Sequence, residues 1–231
     1  AGNLDHDKFV DLVVHGIEKL PFALSGVTRV ALPDSRTEHV VVKDLEQVHI
    51  CVGTTAPSAV DEKRHAAYIL NAILGGGMSS KLFQEVREKR GLAYNVYSFL
   101  STFSDTGMFG IYAGCDPSRV EELLEVSGRE TLGLASSITD EDIRTAKNQI
   151  KGNIILAMES TDSRMNRLAK GEYFFGKYIS LDEIIGALEA VTAKEIFDVA
   201  EEMIDSGPMT IVALGPLDEK CDLGAMFRAG S

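Results

Sequence analysis

Arg87 and Tyr94 are the side chains of this 231-residue sequence whose types and spacing best suit chemistry on a polar substrate. A guanidinium can fork its N–H donors onto carbonyl oxygens, and a phenol O–H can donate to developing negative charge. The two lie seven residues apart, Arg87 in the last turn of a short charged helix and Tyr94 near the start of an aromatic-rich strand, with Gly91 between them. With a rise of about 1.5 Å per helical residue and about 3.3 Å per strand residue, a chain folding back at Gly91 sets both roughly 6 to 10 Å from the turn. A cation and a phenol therefore share one rim. The same residues admit a structural role, in which Arg87 pairs with Glu88 or Asp105 and Tyr94 is a sheet aromatic.

Other candidates are weaker. Gly75, Gly76 and Gly77 invite comparison with a phosphate loop, but that signature needs a preceding strand and a following Gly-Lys-Ser/Thr. Here a helix precedes and Lys81 follows two serines. The glycines instead let backbone pass close to another element or to substrate. His6, His15, His39, His49 and His65 fall in no metal-binding pattern, so no metal site is expected. Ser160-Thr161-Asp162-Ser163-Arg164 has no histidine nearby in sequence and fits a helix cap. Cys51, Cys115 and Cys221 are an odd set without paired spacing, which reads as buried thiols in a reducing, cytoplasmic setting. A net charge of −12 argues against nucleic acid and anionic membranes as partners and is compatible with basic peptides. No apolar run approaches the roughly 20 residues that span a bilayer. The start, Ala-Gly-Asn-Leu-Asp-His-Asp, has neither an initiating Met nor a signal sequence, as expected of a piece of a longer protein.

The elements that must position the rim follow from periodicity and caps. Lys81–Arg90 predicts a helix capped by Ser79, with Leu82, Phe83 and Val86 as its apolar stripe and Gly91 as its stop. Two strands joined at Ser104–Gly107 form a hairpin. Upstream, Asp5 caps a helix over His6–Leu20, Pro21–Ser35 reads as a linker, and His39–Lys43 and Gln47–Thr54 read as strands. A helix over Asp61–Leu74 runs into the glycines. Downstream lie a helix from Asp116-Pro117 to about Ala135, a capping box at Thr139 opening a helix through Met158, and a helical stretch over Ser160–Phe175. Capping boxes at Ser180 and Thr192 open two further helices, and Met209–Leu214 is a last strand. The tail after Gly215 has no clear pattern. Strands early and helices late predict an α+β fold with a mostly antiparallel sheet and helices on one face. Ala213–Glu219 echoes Ala1–Asp7, each a strand exit followed by Leu-Asp, a hint of duplication.

The stretch LNAILGGGMSSKLFQEVREKRGLAYNVYSFLSTFSDTGMFGIYAGCDP, preceded by KDLEQVHICVG and followed by ESTDSRMNRLAKGEYFFG, closely resembles the C-terminal half of the pitrilysin/insulinase peptidase family. The nearest branch is similar to the bacterial relatives of mitochondrial processing peptidase. The resemblance implies two similar domains closing around a chamber: residues 1–25 ending the first domain, 26–35 a linker, and 36–231 the inactive, substrate-clamping domain. It implies that Zn2+ is held in the N-terminal half by an H-x-x-E-H helix, a motif absent here. It implies a catalytic and substrate-binding role for Arg87 and Tyr94, which meet the family spacing. A substrate-handling role for Gly75–Gly77 is also implied, although the family's glycine loop is longer. The expected function is the C-terminal half of a zinc endopeptidase cleaving extended peptides; the alternative is a non-catalytic scaffold or peptide-binding subunit. Expected partners are the N-terminal catalytic domain and peptide substrates, with a homodimer or paired subunit left open.

Overall fold

Val48–Ala56 (β2) alternates strictly: Val48, Ile50, Val52 and Thr54 are buried, while His49, Cys51, Gly53 and Thr55 turn the other way. That period of two places it at the centre of a sheet with one buried face. The computed structural model describes residues 2–21, 37–205 and 209–230. Its sheet also contains Glu38–Val42 (β1), Ala93–Thr102 (β3), Gly107–Cys115 (β4) and Thr210–Gly215 (β5), in the order β1-β5-β2-β4-β3. Among the described residues only the β1–β5 pair is parallel; β5–β2, β2–β4 and β4–β3 are antiparallel. The fold is α+β with a mostly antiparallel sheet, and β3 is an edge strand.

Among the described residues, helices cover the buried face. Arg64–Gly75 (α2) lays Ala66, Ala67, Ile69, Leu70, Ile73 and Leu74 against it and packs on β3. Val120–Leu132 (α3), Leu134–Ser137 (α4) and Asp140–Ala157 (α5) follow, with a 3-10 turn at Pro117–Arg119 introducing α3. The capping box at α5 is present, Thr139 and Asp142 satisfying each other's backbone N–H groups. Matching boxes open Leu181–Ala190 (α7) and Ala193–Ala200 (α8). Thr161–Phe175 (α6) is separated from α5 by a break in which Ser160 caps anew, so the stretch is two helices. The patternless tail is partly a helix, Leu223–Ala229 (α9). Asp222 caps it, and it buries Leu223 and Phe227 against α3. Four-residue spacing of its apolar anchors was the available signal, but the helix is too short to show a period.

His6–Ile17 (α1) differs from all of these. Asp5 accepts from the Lys8 N–H at 3.1 Å as expected of a cap, yet every residue of α1 is exposed, including Phe9, Leu12, Val13 and Ile17. The expected linker at 26–35 lies outside the described residues. The open sheet face carries a row of rings, Phe99, Tyr97, Tyr112 and His49, with successive centroids 6.2, 5.2 and 6.1 Å apart. No described helix is long and apolar enough to cross a membrane.

Candidate functional site

Leu82 and Val86, both fully buried, anchor the helix that leads to the rim. Ser79 makes no capping bond; the start is held by the Ser80 N–H and Oγ donating to the Gly77 carbonyl, and by Gln84 Nε2 donating to the Met78 carbonyl at 2.7 Å. From Phe83 to Glu88 the helix opens into a π-helical turn, and the Lys89 N–H reaches back five residues to the Gln84 carbonyl at 3.0 Å. Gly91 then takes φ +59°, a left-handed conformation that stops the helix and reverses the chain. Leu92 donates to the Val86 carbonyl at 2.9 Å, tying the reversal down.

Beyond the reversal the sheet is irregular at one residue. Ala93 pairs with Cys115 and Asn95 with Gly114, leaving Tyr94 as the extra residue of a β-bulge. A bulge re-aims a side chain, and here Tyr94 and Asn95 are both exposed where alternation would bury one. Tyr94 is 73% exposed. The Arg87 guanidinium carbon lies over its ring, 4.6 Å from the centroid, and over the Phe83 ring at 4.8 Å. Helix and strand thus bring the two expected residues into contact.

The charges around the rim leave Arg87 in reserve. Glu85, largely covered, accepts from both Lys89 and Arg90, and its carboxyl is held below the usual range first by the Lys89 bond and then by Arg90. Among the described residues, the carboxylate within ion-pairing range of Arg87 is that of Glu88, with Nε to Oε1 4.0 Å, the limit of such a contact. Arg87 makes no side-chain hydrogen bond to another described residue. Its donors are therefore available to a ligand, and the neighbouring phenol can donate beside them.

Gly75, Gly76 and Gly77 are not part of this rim. A Cβ on Gly75 would sit 2.3 Å from the Ser98 backbone nitrogen, and one on Gly77 would meet Gln149 Nε2 at 2.6 Å. Ser98 donates to the Asn71 carbonyl at 3.0 Å, and Gln149 donates to the Gly76 carbonyl at 2.9 Å. The run closes the end of α2 against β3 and α5. Ser98 is four strand residues, about 13 Å, along β3 from Tyr94.

The remaining reactive groups are elsewhere. His6 and His15 are on exposed α1, and His49 Nδ1 is engaged with the Tyr112 hydroxyl at 2.8 Å. His65, half-buried in α2, has its pKa pushed down to about 4, mainly by burial and then by Arg64. Among the described residues no three His, Cys, Asp or Glu side chains converge to hold a metal, so zinc chemistry finds no fitting ligand set here. Of the three thiols expected to be buried only Cys115 is; Cys51 lies exposed on the outer face of β2 and Cys221 is half-buried. Partial desolvation raises the thiol pKa of Cys51 and Cys221, and burial pushes that of Cys115 up to about 11, the opposite of nucleophilic activation. A cavity of about 240 Å³ lined by Thr55, Ser58, Asp61, Asp105 and Glu202 sits at the hairpin's far end and does not include Arg87 or Tyr94. What the sequence reading missed is the environment of Arg87. Periodicity places Phe83 in the apolar stripe, yet Phe-x-x-x-Arg spacing on a helix is also a signal for ring–cation contact.

An α+β domain that brings an arginine and an exposed tyrosine together on one rim is thus the class that fold and site define. Residues 1–150 match the family described as the peptidase M16 inactive domain, and the chain belongs to that family. It is 39% identical over 230 residues to an uncharacterized zinc protease of Streptomyces coelicolor, a match covering 95% of this chain and 50% of that protein. The chain spans about half the length of the curated relatives it matches. Among solved structures, a chain of complex III2 from Candida albicans superposes with TM-score 0.83 at 20% identity, covering 99% of this chain and 57% of that one. A peptidase M16 inactive domain from Pseudomonas fluorescens superposes with TM-score 0.79 at 19% identity, covering 95% and 53%. These two likenesses concern the fold.

Proposed function

We propose that this chain is the substrate-clamping half of a zinc-dependent endopeptidase of the processing-peptidase-like branch, acting on extended peptides in a closed chamber. The carrying observation is the rim itself: Arg87 stacked over an exposed Tyr94 that a β-bulge turns outward, with donors that no described residue takes. In peptide hydrolysis, negative charge develops on the scissile carbonyl oxygen. The Tyr94 O–H donates to that oxygen, and a preorganised donor of this kind stabilises the transition state by about 3 kcal/mol. Arg87 forks its N–H groups onto a neighbouring peptide carbonyl and fixes the substrate backbone. The metal and its water belong to the other half of the protein.

Residues 1–25 are the closing element of that other half, joined by 26–35 to the domain at 36–231. Two observations support this boundary. The Leu4 N–H donates to the Gly2 carbonyl at 3.1 Å, and the Leu217 N–H donates to the Gly215 carbonyl at 2.9 Å, so the two Leu-Asp segments make the same tight turn, although residues 2–5 form no strand where one is expected and only Gly215 ends one. The apolar residues of α1 find no cover among the described residues, whereas α9 is packed. The three free thiols are consistent with a cytoplasmic setting.

The test is cleavage of a generic quenched peptide by the complete protein, with and without chelator, beside the present chain. The proposal expects chelator-sensitive cleavage by the complete protein and none by the chain alone. Absence of cleavage together with absence of bound zinc would replace it with the non-catalytic scaffold. Sizing the active species separates a single chain from a homodimer or paired subunit.

A further inference from the structure

We infer that Phe83 is a positioning residue that holds Arg87 on Tyr94 and away from Glu88; the inference rests on the rim being the substrate clamp proposed above. Phe83 lies four residues before Arg87, inside the π-helical turn Phe83–Glu88. A turn closed by bonds five residues apart holds more residues than the 3.6 of an α-helix, so side chains four apart come closer to alignment. The Phe83 ring is half-buried, and the adjacent residues Leu82 and Val86 fasten its helix to the core. It is therefore a fixed surface, whereas Tyr94 is mostly exposed.

The guanidinium has two places to go. Over the rings its carbon lies 4.8 Å from the Phe83 centroid and 4.6 Å from that of Tyr94. Toward its sequence neighbour, Nε is already 4.0 Å from the Glu88 carboxylate. Rings engage the faces of a guanidinium and leave its N–H groups, which lie in the plane, free to donate. A carboxylate engages those N–H groups themselves. Aromatic contact thus keeps Arg87 competent to bind a peptide carbonyl, and a Glu88 pair would consume the same donors. Of the backbone irregularities beside the rim, the π-helical turn and the bulge at Tyr94 each contribute one of the rings.

The test is steady-state cleavage of the quenched peptide by the complete protein and its variants. Phe83→Leu is expected to raise KM about two- to fivefold, the scale of an exposed cation–ring contact, with kcat nearly unchanged. Phe83→Tyr, which keeps the ring, should restore the parent KM. Phe83→Leu combined with Glu88→Gln should restore it too, because the competing carboxylate is gone; a merely structural loss would not be rescued this way. Glu88→Gln alone should leave KM unchanged, and this variant decides the matter if Phe83→Leu fails to fold. A lowered KM in Glu88→Gln, or a Phe83→Leu defect that Glu88→Gln does not repair, would overturn the inference. If Arg87→Ala raises KM while Phe83→Leu does not, the clamp stands and the positioning role falls. If Arg87→Ala itself leaves KM unchanged, or the parent cleaves nothing, the clamp reading fails and takes the inference with it.

Discussion

The Phe83–Tyr94 rim and the Gly75–Gly77 run flank the same short helix, and both carry residue types associated with binding. They are built in opposite ways. At the rim the backbone is irregular and the functional groups face out: a π-helical turn, a left-handed glycine and a β-bulge present a guanidinium and a phenol to solvent. At the glycine run the side chains are missing because neighbours occupy their space, Ser98 backbone on one side and Gln149 on the other. Irregular backbone that exposes polar atoms costs stability and is retained where it serves a ligand. Missing side chains that admit a neighbouring strand serve packing. Substitutions at the rim should therefore change kinetics and spare stability, and those at the glycines should do the reverse.

The largest effect should come from Tyr94→Phe in the complete protein. Removing one O–H from a mostly exposed ring leaves packing intact, so kcat should fall about a hundredfold while the melting temperature stays put. Parent-like kcat would break the comparison on the rim side. Arg87→Ala should raise KM about tenfold, the scale of a charge-assisted hydrogen bond, and lower kcat less. A change confined to melting temperature would instead make Arg87 a structural residue.

Gly75→Ala tests the other side. Its Cβ would press on the backbone nitrogen of Ser98, which cannot rotate away, so the helix end must shift. Overpacking of this kind costs about 2 kcal/mol, visible as a drop in melting temperature with KM and kcat of the remaining folded protein unchanged. A selective loss of peptide binding would return the glycines to the substrate surface.

The contrast explains what the sequence did and did not disclose. The alternation in β2 and the three capping boxes are local patterns, and the sheet and most helices followed from them. The meeting of Arg87 and Tyr94 was legible because one glycine and two known rises fix it. The bulge at Tyr94 and the π-helical turn were not, since each depends on register against β4 or on crowding within a turn. The packing role of Gly75 and Gly77 depends on Ser98 and Gln149, distant in sequence. α9 was lost because seven residues show no period, and its burial is decided by α3.

Smaller effects sharpen the same division. A Cβ at Gly77 would meet the end of a flexible glutamine, not backbone, so Gly77→Ala should cost about 1 kcal/mol, largely the Gln149 hydrogen bond to the Gly76 carbonyl. A loss equal to that of Gly75→Ala would mean the whole run is equally confined.

The last effect, absent near neutral pH, should appear at the opposite end of α2. His65 has its folded pKa pushed down to about 4 against an ordinary value of 6.5, because burial and then Arg64 disfavour the imidazolium. The unfolded chain therefore takes up a proton first as pH falls. The neutral ring's contribution is fully present above pH 6.5 and is lost progressively between 6.5 and about 4. Urea denaturation across that window should show a declining midpoint, and His65→Gln, which cannot take up the proton, should flatten part of the decline. Since α2 serves packing, the pH dependence of KM across the same window should be unaltered in His65→Gln. A shifted KM profile in that variant would mean that α2 transmits its protonation to the rim through β3, and the two regions would then be one.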